Sequence, residues 1–321
     1  MDKISRRGLL AGAGAVVVAG SLGRPAAAEA CVLPPTRRFV LDGSGGEVFR
    51  SKPPADVTVM QSIAFDNFNQ RLFTGQLRSG SPSSSGDLTL TQLTPAGDVV
   101  GHMYLSGFGH AVSIGAEAVG RTTYLWTETD VDTANARGRQ IARFRWQEGA
   151  TLTKDSPGLR SWKPVADGAV FTPSVDQQHG RIGIRHTLAD GFHINVYSLA
   201  AARAGDFSRV LASFKQPAMT AGIDFQGWAL YGSYVYLWEG EAYSGTFDPA
   251  LATSKLWTYD LNKGEIVESV KILDGADLVY REAEGVGVQV TPQGRPRLCF
   301  GFASGVTGDR RVNLFYRDTL V

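Results

Sequence analysis

The chain has 321 residues, with 32 Lys and Arg against 31 Asp and Glu for a net charge of +1, and 43% of it is hydrophobic. The even charge argues against nucleic acid as a partner, which calls for a basic surplus or a basic run. The apolar share supports an ordinary folded core, and the 38 glycines suit many tight turns and close backbone approaches.

In chain order, Ser5-Arg6-Arg7-Gly8-Leu9-Leu10 is a twin-arginine signature, followed by a weakly apolar run from Leu9 to Ala19. That run is shorter than the about 20 residues a membrane span needs. Ala26, Ala27, Ala28 and Ala30 then offer small-residue cleavage sites. Residues 1–30 are therefore expected to be a signal peptide and residues 31–321 a single secreted domain. No membrane contact is expected after cleavage, and the cell wall is an expected place of residence. Cys31 and Cys299 are the two cysteines. In an oxidising compartment such a pair invites a disulfide joining the two ends of the domain; two unpaired thiols are the alternative.

After the leader, helical periodicity is nearly absent, with Leu199 to Phe207 the main stretch able to form a helical turn. Short runs rich in Val, Ile, Tyr, Phe and Trp recur between Gly, Asp, Asn, Ser and Pro. Stacked, they make five passes of one pattern: a polar residue, a short alternating strand, a turn and a second apolar strand. The passes open at Gln61, His110, Thr172, Gln226 and Glu284. Their spacing of about 50 to 60 residues is that of one four-stranded propeller blade. Further strands fit at Ile141–Trp146, His193–Tyr197, Leu256–Asp260 and Val312–Tyr316. The expected fold is all-β, a five-bladed β-propeller, with six blades as the nearest alternative.

In such a fold the five opening residues converge on the mouth of the central channel. Amides at Gln61 and Gln226, a hydroxyl at Thr172, the imidazole of His110 and the carboxylate of Glu284 suit a grip on several hydroxyls. Alternatively, they hydrogen-bond water or loop backbone in a plugged channel. Tyr280-Arg281-Glu282-Ala283-Glu284 adds a phenol, a guanidinium and a second carboxylate. Arg281 is expected to pair with a ligand carboxylate or phosphate, and Trp228 to stack on a sugar ring. Arg185 and His186 follow a strand and are expected near the surface, with Arg185 among the substrate-binding residues. Trp126 and Trp238 are expected to fill the space between blades. The histidines show neither HxH nor HExxH spacing, and no nucleophile elbow, phosphate loop or dinucleotide fingerprint is present, so no metal or cofactor is expected.

Gly107-Phe-Gly-His-Ala-Val-Ser-Ile-Gly-Ala-Glu117, Phe225-Gln-Gly-Trp-Ala-Leu-Tyr231, Tyr280-Arg-Glu-Ala-Glu-Gly285 and Leu298-Cys-Phe-Gly-Phe-Ala-Ser-Gly305 resemble the propeller shared by TagC-like proteins and phage receptor-binding or baseplate proteins. The resemblance runs from about Phe39 to Tyr316. It implies a five-bladed propeller that meets cell-wall glycans such as teichoic acids, and it assigns no catalytic residue. Two functions follow as expectations. One is a secreted glycan-recognition protein. The other is a glycan-cleaving enzyme, a glycoside hydrolase or polysaccharide lyase, using the same pocket with His110, Tyr280, Glu282 and Glu284 as its catalytic groups.

Overall fold

The structure, a computed structural model, describes residues 32–243 and 248–321. The leader read over residues 1–30, and Cys31, lie outside the described residues. The chain opens with strand β1 (Gly45–Lys52), and the first blade follows as β2 (Met60–Asp66), β3 (Arg71–Leu77), β4 (Leu88–Leu93) and β5 (Val99–Leu105). The second holds β6 (Gly115–Val119), β7 (Thr122–Asp132) and β8 (Arg137–Arg145); β9 (Thr151–Leu152) returns to the edge of the first blade and β10 (Arg160–Trp162) completes the second. The third is β11 (Ala169–Asp176), β12 (Arg181–Leu188), β13 (Gly191–Ser198) and β14 (Ala212–Lys215), with the short helix α1 (Leu199–Ala204) between the last two. The fourth is β15 (Phe225–Tyr231), β16 (Tyr234–Glu239), β17 (Lys255–Asp260) and β18 (Glu265–Lys271). The last is β19 (Glu282–Val290), β20 (Pro296–Val306) and β21 (Asp309–Arg317).

Hydrogen-bonded neighbours run antiparallel within each blade, save β9, which lies parallel to β5, and both faces of a blade carry apolar side chains that must meet the blades on either side. Five separate buried clusters satisfy this, one at each interface. Phe73 and Met103 pack with Leu125 and Phe144 between the first and second blades, and Trp126 with Phe171, Ile182 and Tyr197 between the second and third. Ile194 and Phe214 meet Trp228 and Leu237 between the third and fourth. Tyr236 and Trp238 meet Phe300 and Phe302 between the fourth and fifth. Met60 and Leu72 meet Cys299, Val312 and Leu314 between the first and fifth, which closes the circle at five.

The chain's first strand performs that closure. β1 is the outermost strand of the fifth blade, paired antiparallel with β21. The segment before it continues the join: Arg38 N–H donates to Val321 O at 2.9 Å and Val40 N–H to Thr319 O at 3.0 Å. Phe39 is fully buried against Tyr231 and Tyr236 of the fourth blade, and its N–H donates to the Tyr236 hydroxyl. Of the two cysteines in the expected disulfide, Cys31 lies outside the described residues, and Cys299 is buried between the first and fifth blades, where burial pushes its thiol up to about 12.

Around the axis the five innermost strands β2, β6, β11, β15 and β19 contribute Ile63, Ala116, Val175, Leu230 and Val286 to a lining that leaves about 20 Å³. That is room for about one water molecule. The channel is stoppered at mid-height, which confines any ligand to its ends.

A strand-and-staple closure makes two predictions. Phe39→Ala should lower stability by about 3 to 5 kcal/mol, because a buried aromatic leaves a cavity at the join, and thermal unfolding reads it. A reducing agent should leave the melting temperature unchanged. A melting point held by Phe39→Ala but lowered by reductant would contradict this account of closure.

Candidate functional site

Four of the five inner strands break their ladder at the same end. β2 slips between Met60 and Ser62, leaving Gln61 as the bulged residue. β15 slips between Phe225 and Gly227, bulging Gln226. β11 is irregular between Ala169 and Thr172, and β19 between Glu284 and Val286. A bulge adds one unpaired residue and re-aims its side chain, so the mouth is built by bulges directly at the polar heads. Gly285 in β19 has φ 65°, and a Cβ there would lie 2.8 Å from the Ile63 nitrogen of the adjoining strand. The backbone around the mouth is strained as well. Ala111, Val170, Tyr280 and Arg281 all have positive φ, the valine being β-branched. Such strain collects where a site must hold its shape.

On the side of the second and third blades the mouth is cationic. Glu128, fully buried in β7, accepts from the N–H groups of His110, Ala111 and Gly138 and from Arg137 Nε at 3.2 Å. This one carboxylate holds the loop that presents His110 and aims Arg137. Burial and the Arg137 charge lower the His110 imidazole below its ordinary value while Glu128 opposes them, so His110 is neutral near pH 7. Arg185 is 2% exposed, with its guanidinium 3.5 Å from the Phe192 ring centroid and 3.8 Å from that of Phe225. Its Nε donates to Gln216 Oε1 at 2.6 Å, and no carboxylate pairs with it among the described residues. Desolvation, then the Arg137 charge, holds it well below the usual guanidinium range. Arg185 opens into a cleft of about 370 Å³ with Phe192, Gln216, Met219 and Phe225.

The fourth and fifth blades make the opposite side acidic. Gln61 Nε2 donates to Glu284 Oε1 at 3.2 Å, joining the heads of the first and fifth blades. Glu284 is 3% exposed, and burial, followed by the charges of Glu282 and Asp224, raises its carboxyl well above the ordinary range. Glu282 is half-buried and also raised, by burial and then by Glu241 and Asp224 against the lowering effects of Tyr280 and Arg310. Burial and Glu282 push the Tyr280 phenol up to about 12. Tyr280, Glu282 and Gln61 line a second cleft of about 450 Å³, with Arg78 on its far wall.

Several expected site residues lie elsewhere. Arg281 is buried away from the mouth: it donates to the carbonyls of Ile272 and Asp274 and to Ser254 Oγ, with its guanidinium over Phe302. It braces the fourth and fifth blades. Trp228 is 1% exposed in the core between the third and fourth blades and donates Nε1–H to Thr172 Oγ1 at 3.3 Å. No sugar can stack on it, and Thr172, itself fully buried, faces this indole. Gln226 donates to the Gly240 carbonyl at 2.8 Å and is only slightly exposed. Arg185 and His186 are buried rather than superficial, the His186 ring stacking on Phe171 and His193. The mouth therefore gathers Gln61, His110, Arg185, Tyr280, Glu282 and Glu284. It adds Glu128, Arg137, Asp224 and Glu241, which sequence reasoning missed. Among the described residues no group of three or more His, Cys, Asp or Glu could hold a metal ion.

The buried acid has a pH signature. Its carboxyl binds a proton more tightly folded than unfolded, so stability falls as pH rises above the ordinary value of 4.5. Each tenfold weakening of its acidity costs the fold about 1.4 kcal/mol at alkaline pH. Glu284→Gln, which mimics the protonated acid, should match the wild type near pH 4 and melt higher at pH 8. A variant less stable at every pH would mean that the ionised carboxylate is held by a partner.

With the fold and this geometry in hand, relatives place the chain. Residues 59–316 match the family model described as the phage 5-bladed beta propeller receptor binding platform domain. A Bacillus subtilis (strain 168) protein named "Putative major teichoic acid biosynthesis protein C" is 27% identical over 286 residues, covering 84% of this chain and 61% of that protein. The tail fiber of Staphylococcus aureus phage P68 superposes with a TM-score of 0.72 at 21% identity, over 87% of this chain and 54% of the fiber chain. The chain thus spans a little over half the length of both proteins, and at that identity the fiber speaks for the fold alone. The match over residues 59–316, with five interface cores closing one ring, shows that this chain belongs to the family of phage-type five-bladed receptor-binding propellers.

Proposed function

We propose that the chain recognises an anionic glycan at the bulged mouth of its propeller, after export through the twin-arginine leader read over residues 1–30. The observation that carries this is Arg185, a guanidinium 2% exposed between two aromatic rings with no carboxylate paired to it among the described residues; Asp190 lines the same cleft but is tied to His193 and Lys215. A buried charge without a counter-charge is costly. A ligand anion entering the cleft supplies that counter-charge, with bidentate geometry open to it. Across the axis, Gln61, Tyr280 and Glu282 offer an amide, a phenol and a carboxylate to sugar hydroxyls. The name of the Bacillus subtilis relative and the receptor-binding description of the family support a teichoic-acid-like wall polymer as the ligand.

A second reading has its own support. Glu282 is accessible, raised, and under the influence of Asp224 and Glu241, an arrangement that suits a general acid beside a charged carboxylate. Glu284 lines neither cleft, unlike Glu282 and Arg185, and its Oε1 accepts from Gln61 instead. Recognition ranks first because the cationic cleft needs a ligand whether or not a bond is cut.

Arg185→Met keeps the volume and removes the charge. It should weaken retention on an anionic wall polymer by about ten- to a hundredfold, for a loss of about 1.5 to 3 kcal/mol. Its melting temperature should hold or rise, as when other unpaired buried charges become apolar. Assaying the same samples for new reducing or unsaturated ends separates cleavage from recognition. Unchanged retention by Arg185→Met would overturn the assignment of the anion to this residue.

A further inference from the structure

The end of the propeller remote from the bulged mouth carries a second cationic feature. Successive strands run in opposite directions, so the first residue of β3, the turn from β6 to β7 and the last residue of β8 all lie at the end where β2 finishes. Arg71, Arg121 and Arg145 occupy those three places and line one groove of about 450 Å³ between the first and second blades. Trp146, half-buried and edge-on to Phe73, and Val100 give the groove an apolar wall, and Gln92 and Gln147 add amides.

The three guanidinium groups differ in their ties. Arg71 is anchored: Nη1 donates to Thr123 Oγ1 at 2.8 Å and to the Arg121 carbonyl at 3.2 Å. Asp66, its cross-strand partner, is buried and accepts from the Thr123 hydroxyl, and no ion pair joins it to Arg71 among the described residues. Arg121 and Arg145 are exposed, and among the described residues neither takes part in a side-chain hydrogen bond, an ion pair or a ring contact. Glu148 also lines the groove and forms no ion pair with any of the three. Some surface arginines elsewhere are matched, as Arg50 is by Asp277 and Arg139 by Asp132, while Arg160, Arg209 and Arg295 form no ion pair among the described residues; what sets the groove apart is three guanidinium groups on one concave lining. The lining thus sets three guanidinium groups against the one carboxylate of Glu148, a cationic surplus that favours an entering anion, and guanidinium forks suit tetrahedral and planar oxyanions.

We propose that this groove is a second anion-binding site, separate from the mouth, which takes a phosphate-type oxyanion either free or carried on a polymer. It stands independently of the role assigned to Arg185, since no residue is shared.

The test is titration calorimetry of the purified full chain with inorganic phosphate and, separately, with inorganic polyphosphate, at fixed ionic strength. Arg121→Ala/Arg145→Ala is made in the Arg185→Met background, which removes any anion held at the mouth, so the groove is read by itself. Both substituted groove residues are exposed and untied, so the pair should leave the melting temperature of that background unchanged. Binding of both probes to Arg185→Met, lost about tenfold or more when the groove pair is also replaced, supports a site for the free oxyanion. Binding of polyphosphate alone, lost on the same replacement, supports a polymer site. Unchanged affinity when the groove pair is replaced, or no binding of either probe to Arg185→Met, overturns the proposal.

Discussion

Everything at the mouth depends on the antiparallel pairing of β1 with β21, which turns five blades in a row into a closed ring. The two strands come from opposite ends of the domain, and Phe39 carries the join into the fourth blade. Only with the ring closed do β2 and β19 become neighbours, and only then does Gln61 meet Glu284. Closure also forces the inner strands so near the axis that small and branched side chains fill it. A stoppered channel with bulges at one end leaves a shallow mouth flanked by two clefts. That shape suits a segment of a long polymer lying across the surface more than a small molecule swallowed whole.

The mouth is electrically divided. Burial on both sides works against charge, yet with opposite outcomes. Carboxyls can take up a proton, and Glu284 and Glu282 are raised in that direction. A guanidinium holds its proton in practice, so Arg185 keeps a charge that the protein does not neutralise. Cation–π contact with Phe192 and Phe225 offsets part of the cost. The acidic side is thus self-quenching, whereas on the cationic side Arg185 has no paired carboxylate among the described residues.

Much of this was legible in the sequence for physical reasons. Strand periodicity and turn residues survive in any β fold, so the five passes, their blade-length spacing and the position of the short helix could be read directly. Trp126 and Trp238 fill blade interfaces, as their place in apolar strands suggested. The convergence of the polar heads followed from topology. What side chains do at the mouth did not, because a bulge depends on local φ and register, which one residue can change. Trp228 follows a bulged glutamine, and that extra residue turns the indole into the core. Arg281 sits at positive φ, which swings it away from the mouth towards Ser254 and the Ile272 and Asp274 carbonyls. Glu128 escaped notice because its work is to hold backbone N–H groups eighteen and seventeen residues upstream. Its one visible signal is Gly109, where a Cβ would come within 2.5 Å of the Glu128 carboxyl carbon.

The most direct test of an unneutralised cation that recruits a glycan is a crystal structure with a short anionic fragment of a wall polymer. The account predicts an acidic group of the fragment within hydrogen-bonding distance of the Arg185 guanidinium, between the rings of Phe192 and Phe225, with sugar hydroxyls reaching towards Gln61 and Glu282. A fragment seated elsewhere on the propeller, with Arg185 uncontacted, would contradict it.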